Sequence, residues 1–263
     1  MGADGQNNEI IGSPKLIDSE IQFSGSNNIA YFEEGVALEH SSIVLKGDNS
    51  VIAVRKSSAP LRLCAVLYSD SAVYIGKNAW TTNRLELNAG EAKHIVIGDD
   101  ALLGSQCTVR TTDSHMLFSA ESGRRINRGK SVFIGDHVWL AARVVLLKGA
   151  KLYSGCVIGS DSVVAGKEIP SNTVWAGNPA RMIQSGVFFD KAGTHGLRAG
   201  QEDSAPGEAA AQKYIYAEGK DKIPFEVLDG ELSAARNAEE RLKVLLSRTG
   251  AAGKNRFAKN PPR

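Results

Sequence analysis

The sequence predicts an all-β fold built as a parallel β-helix with three short, flat faces per coil. Three observations carry that prediction. From Ile134 the chain divides into units of six: IGDHVW, LAARVV, LLKGAK, LYSGCV, IGSDSV, VAGKEI, PSNTVW and AGNPAR. The first position is aliphatic in six of these eight units, and the fifth is mostly small: Val138, Val144, Ala150, Cys156, Ser162, Val174 and Ala180. The same beat runs upstream as IGDDAL, LGSQCT and VRTTDS from Ile97, and as IGKNAW at Ile75. Finally, the chain holds 27 glycines but only 6% aromatic residues, with recurring β-branched runs, which is a composition of turns and strands.

A period of six fits neither the 3.6 of an α-helix nor the simple alternation of a hairpin. It fits coils of three hexads in which the aliphatic first residue points inward and the small fifth residue fills a tight corner. Stacked coils then pair at a spacing of about 4.8 Å, and each buries the aliphatic ladder of the next. Cys107 and Cys156 fall on the small inward position and read as packing thiols.

In chain order, residues 1–20 read as poorly structured and residues 21–183 as the β-helix. Within it, Ile29 to Leu67 keeps strand-like runs and Gly-Asp-Asn turns without the count, as irregular first coils. Residues 116–132 form a polar, basic excursion. Residues 184–263 read as a Gly/Ala/Pro linker, an amphipathic helix over 231–247 carrying Leu232, Ala235, Leu242 and Leu245, and a basic, solvated tail.

At 263 residues and a net charge of +2, the chain lacks the basic stripe of a nucleic-acid binder. No run approaches the roughly 18 apolar residues of a membrane span. The first residues show no basic region followed by an apolar run, so no signal peptide is expected. Three widely spaced cysteines (Cys64, Cys107, Cys156) without CxxC predict a reduced, cytoplasmic protein.

The beat breaks at His115, six residues after Val109, where the register demands an inward aliphatic. A histidine there either anchors the excursion or serves as a base at its lip. Asp113, two residues earlier, lies on the same side of an extended backbone. It either orients the imidazole or accepts local turn hydrogen bonds. Trp139 ends its hexad pointing outward, as a wall for a ligand or as packing for a neighbouring chain. His137 occupies an outward hexad position and reads as surface. In the excursion, Arg124, Arg125, Arg128 and Lys130 form either a solvated loop or a cationic lid.

The D-x-H of Asp113 and His115, the segment IGDHVWLAARVVLLKG and the terminal IPSNTVWAGNPARMI together resemble the left-handed β-helix, hexapeptide-repeat acyltransferases over about Val73 to Ile183. Within them the chain is most similar to galactoside, xenobiotic and surface-polysaccharide O-acetyltransferases. The resemblance implies a homotrimer using acetyl-CoA, without a metal, and with the catalytic histidine in a cleft between subunits. It implies His115 as general base, with Trp139 and Asp113 beside it. It further implies acetyl-CoA contacts at Trp139, Ala142, Ser160, Lys167 and Arg181, and acceptor contacts at Asn83, Arg124 and Arg125. The family's V-T-K-[DE]-I-P reads V-A-G-K-E-I-P here, one residue longer, which shifts the count at Lys167.

The function expected from these residues is transfer of an acetyl group from acetyl-CoA to a sugar hydroxyl of a bacterial capsule or other surface polysaccharide. A small acceptor, such as an antibiotic or an amino sugar, is the alternative within the class. A non-catalytic β-helix scaffold would not need D-x-H beside that C-terminal signature. A zinc carbonic anhydrase on the same coil needs three histidine ligands, two of them close in sequence, whereas His40, His94, His115, His137 and His195 are scattered.

Overall fold

The computed structural model describes residues 6–200, 208–250 and 253–261. Residues 1–5, 201–207, 251–252 and 262–263 lie outside the described residues, together with those parts of the predicted N-terminal stretch, linker and tail. Short strands stack into three sheets that form the faces of a prism. The first face has eight strands, from Glu9–Ile11 to Glu168–Ile169. The second runs from Trp80–Thr81 to Thr173–Ala176, and the pair Lys15–Ile17 and Ala37–Glu39 occupies the same place in the first coils. The third has seven strands, from Glu20–Phe23 to Val163–Ala165. The strand pairs are parallel until Arg181–Ser185 folds back antiparallel on Thr173–Ala176. This is the β-helix that the hexads predict.

Inside the prism Ile134, Leu140, Leu146, Leu152, Ile158 and Val164 form a continuous buried ladder, and Ile97, Leu103 and Val109 extend it upstream. The small fifth positions Val138, Val144, Ala150, Cys156 and Ser162 have no exposed surface. After Val164 the beat slips by one residue. Leu152 pairs with Ile169, and Trp175 packs against the core, where a strict count would place Pro170 and Ala176. The corner at Gly166 is one residue short of six, and its backbone at φ +58° takes the tight turn.

Two predicted boundaries need correction. The coils begin at Glu9, which pairs with Ile29, so most of the stretch expected to lack structure belongs to the β-helix. Its asparagines are corner residues. Buried Asn8 Oδ1 accepts from the Asn28 backbone N at 3.0 Å, and Asn28 Oδ1 accepts from the Ser50 backbone N at 2.8 Å. A polar run that reads as a loop thus satisfies backbone groups that would otherwise be orphaned in a buried corner.

The C-terminal region is the second. Its described part holds α1 (Glu208–Tyr214), α2 (Phe225–Ala234) and α3 (Ala238–Thr249), so the single helix predicted over 231–247 is broken in two. Asn237 supplies the physical reason: its side chain caps α3 by accepting from the Glu240 backbone N at 2.9 Å. Phe225, Leu228, Leu232, Ala238, Leu242 and Leu245 pack onto Tyr74, Val96, Phe133 and Tyr153 on the outside of the first face. Phe225 stacks on Phe133 and Tyr153, with ring centroids 5.0 and 4.8 Å apart.

The tail predicted to be solvated is also docked. Buried Arg256 grips Asp136 with two nitrogens, at 2.6 and 2.9 Å, and reaches Asp99 at 2.9 Å. Phe257, fully buried, stacks against Phe225. Charge composition alone predicts solvation; the carboxylates that pair with Arg256, buried Asp136 and partly exposed Asp99, come from distant coils.

Candidate active site

The chain leaves the third face after Thr108–Arg110 and re-enters the first face at Val132–Ile134. Ile95 pairs with Val132 and Thr108 with Val145, so the coil resumes in phase across the excursion. Thr111 is the last buried residue before the loop, its hydroxyl bonded to the Gly90 carbonyl at 3.0 Å. His115 therefore does not point into the core as the strict register demands. Its ring is exposed at the lip and makes no hydrogen bond with the described residues. Such an imidazole is open to a hydroxyl from solvent.

The base of this loop is a polar clamp that sequence reasoning missed. Asn127, almost fully buried, donates to the His115 carbonyl at 2.8 Å and to Asp113 Oδ2 at 2.9 Å, and its Oδ1 accepts from the Leu117 backbone N at 2.8 Å. Asp113 also pairs with Lys148, whose ammonium holds the carboxyl below its usual range. Its partners are thus on the loop and the next coil, and the His115 ring is not among them. Glu91 grips the opposite side: it accepts from Arg125 at 2.7 Å and from the Gly129 backbone N at 3.0 Å. Arg125 and burial act on the Glu91 carboxyl in opposite directions, and the guanidinium prevails, bringing it down to about 2. Arg125, expected at the acceptor, is committed to this clamp. Arg124 is exposed at the tip, where Met116, Leu117, Phe118 and Ile126 are exposed as well.

Trp139 lies on the second face, in line with Leu102 and Val157, and is partly exposed. His115 leaves the edge between the third and first faces, so one chain does not bring the two together. Ala142 and Ser160 sit in successive coils on the edge between the second and third faces, where Asp161 N donates to the Ala142 carbonyl at 3.0 Å. Towards the end of the prism Lys167 and Arg181 converge: Lys167 Nζ donates to the Ala180 carbonyl at 2.7 Å, and exposed Arg181 follows it directly. Trp139, Ala142 and Ser160 thus line the second face and its edge with the third, whereas Lys167 starts from the edge between the third and first faces and reaches across to the residue before Arg181. Asn83 lies on the edge between the second and third faces in an earlier coil, where it lines a polar cavity of about 450 Å³ with His40, Arg62, Arg84, Glu86 and Gln106.

His137 overturns its predicted surface placement. It has no exposed surface and stands between the rings of Phe189 and Tyr214, each centroid 4.0 Å away and nearly parallel. The hexad places the side chain outside the prism correctly, but a later segment returns to cover that corner. Among the described residues, no three His, Cys, Asp or Glu side chains group as a metal site. No helix among them is long and apolar enough to cross a membrane.

No protein-family model matches the chain. The polysialic acid O-acetyltransferase of Neisseria meningitidis is 35% identical over 147 residues, covering 55% of this chain and 68% of that protein. Among solved structures, the polySia-specific acetyltransferase NeuO superposes with a TM-score of 0.64 at 28% identity, covering 73% of this chain and 88% of that one. The polysialic acid O-acetyltransferase OatWY superposes with a TM-score of 0.58 at 30% identity, covering 72% and 94%. With its parallel three-faced coils, its loop excursion at D-x-H and these relatives, the chain belongs to the left-handed β-helix, hexapeptide-repeat acyltransferases, among their O-acetyltransferases.

Proposed function

We propose that the protein moves an acetyl group from acetyl-CoA to a hydroxyl of an acidic surface polysaccharide, with His115 as general base, in the cytoplasm. The observation that carries this reading is the exposed, unpartnered imidazole of His115 above a loop base clamped by Asn127 and Glu91. A sugar hydroxyl ionises far above neutrality, so its proton must leave as its oxygen attacks the thioester carbonyl. A neutral imidazole takes that proton. As the tetrahedral intermediate collapses, the C–S bond breaks and the imidazolium returns the proton to the departing sulfur. Asp113 serves this step through the loop base. Trp139, Ala142 and Ser160 would flank the acetyl-CoA arm, and Lys167 and Arg181 its phosphates. Exposed Arg124 would meet the acceptor's carboxylates, and Asn83 a sugar hydroxyl. An acidic polymer is supported by the names of the relatives and by the cations Arg124, Arg128 and Lys130 on the excursion.

The site is completed by a second copy in a homotrimer. Helices α2 and α3 cover the first face, which leaves the second and third for assembly. The apolar loop tip and the exposed Trp80 and Trp139 of the second face would cover one another across copies, which joins His115 of one chain to Trp139 of the next.

The test is acetyl transfer by the purified protein from labelled acetyl-CoA to polysialic acid, with a neutral galactoside as the competing acceptor. Labelled polymer with wild type, and a loss on the order of 100-fold or more with His115→Ala at unchanged acetyl-CoA binding, is the expected outcome. Near wild-type transfer by His115→Ala would remove it as the base, and labelling of the galactoside alone would overturn the acidic acceptor.

A further inference from the structure

After the terminal hairpin the chain retraces one edge of the prism, between the first and second faces. Asn172 Nδ2 donates to the Val187 carbonyl at 2.9 Å, and Lys191 Nζ reaches the Asn78 carbonyl at 2.8 Å, several coils away. Midway, Phe189 packs beside Trp139, with ring centroids 5.7 Å apart. The segment 187–191 therefore forms one flank of the proposed acetyl-CoA wall.

His137 is what holds it there. Its Nε2 lies 2.9 Å from the Phe189 carbonyl oxygen, which only accepts, so Nε2 carries a proton. Its Nδ1 lies 2.6 Å from Asp100 Oδ2. Burial opposes ionisation of Asp100, but hydrogen bonds from His137 and Lys191 outweigh it and keep the carboxyl below its usual range. The rings of Phe189 and Tyr214 stack on the two faces of the imidazole, so it is held through both ring nitrogens and both faces. His137 takes the left-handed backbone of this corner at φ +52°, one coil after Asp100 at φ +63°, which brings the two side chains together.

The other groups around the ring are accounted for. Lys191 sits 2.7 Å from Asp100 Oδ1, Tyr216 is tilted against the ring, and Lys213 lies over Tyr214. The Asp99 carbonyl accepts from the His137 backbone N, and the neighbouring Asp136 and Asp99 carboxylates are engaged by Arg256. Asp190, next to Phe189, is exposed.

We propose that His137 is a positioning residue: bonded to Asp100 and to the Phe189 carbonyl, it fastens segment 187–191 beside Trp139 and so completes the acetyl-CoA wall. The consequence for the cofactor rests on the reading of Trp139 given above; the fastening does not.

Hydrogen exchange of residues 187–191 in the intact protein and steady-state kinetics test this. His137→Phe, which keeps the stacking and lacks both hydrogen-bonding nitrogens, should lower the protection of residues 187–191 about 10-fold or more. It should also raise the acetyl-CoA KM about 10-fold with little change in kcat. Asp100→Asn, which weakens the other end of the contact, should lower protection in the same direction and decides if His137→Phe does not fold. Protection at the wild-type level in a folded variant would overturn the proposal, and a released segment with an unchanged KM would overturn the positioning role. Failure of the functional reading would appear separately, as wild type without acetyl transfer while the variants still release the segment.

Discussion

At the scale of single residues, the geometry separates the proposed base from the groups that hold it. His115 has a free ring; its backbone is fixed by Asn127 from the opposite arm of the loop. Asn127→Ala removes three hydrogen bonds that bridge the arms and leaves Asp113 with Lys148 alone. The expected outcome is a kcat lowered about 10- to 100-fold with acetyl-CoA KM nearly unchanged, because the base loses its position while the cofactor edge is untouched. Steady-state kinetics checks the split; an equal rise in KM would mean general unfolding of the site. Arg181→Ala should do the reverse and raise the acetyl-CoA KM with little effect on the acceptor's. His115 was legible because a histidine interrupts an aliphatic beat. Asn127 was not, since an asparagine among loop cations looks like any solvated turn until its partners twelve and fourteen residues away are known.

At the scale of elements, periodicity reveals what repeats and hides what covers it. The hexads from Ile134 gave the inward ladder, whereas the burial of His137 and Arg256 depends on segments 52 and 120 residues distant. The same holds for His94, which lies outward on the first face beside Val96 and has no exposed surface. Among the described residues both of its ring nitrogens lack partners, and Arg241 of α3 is nearby. Burial, with Arg241 and Lys93 adding to it, pushes the imidazole down to about 3 from 6.5. Below pH 6.5 the unfolded chain takes up this proton and the folded chain does not, so stability falls as pH drops from 6.5 towards 3. His94→Leu should flatten that acid limb and raise stability near neutrality by removing an unsatisfied polar group. Denaturant titrations across this range read both effects. An acid limb as steep as that of wild type would locate the sensitivity elsewhere.

At the scale of the whole molecule, one chain carries the parts of the proposed site on different edges. The loop with His115 springs from the edge between the third and first faces; Trp139 lies on the second face, and the path through Ala142 and Ser160 follows the edge beyond it. Strand register shows that the coil resumes in phase across the loop, because Ile95 pairs with Val132. The docked helices take the first face out of consideration for assembly, which no hexad count reveals, since their anchors Phe225 and Phe257 come after the repeat has ended. The central claim is an acetyl-transfer site shared between neighbouring copies, and subunit complementation tests it most directly. Chains inactivated by His115→Ala and chains inactivated by Trp139→Ala are mixed in equal amounts, exchanged, and verified as mixed trimers. If each site takes His115 from one chain and Trp139 from the next, random mixing restores about a quarter of the wild-type activity. Verified mixed trimers with no activity above that of the separate variants would contradict it.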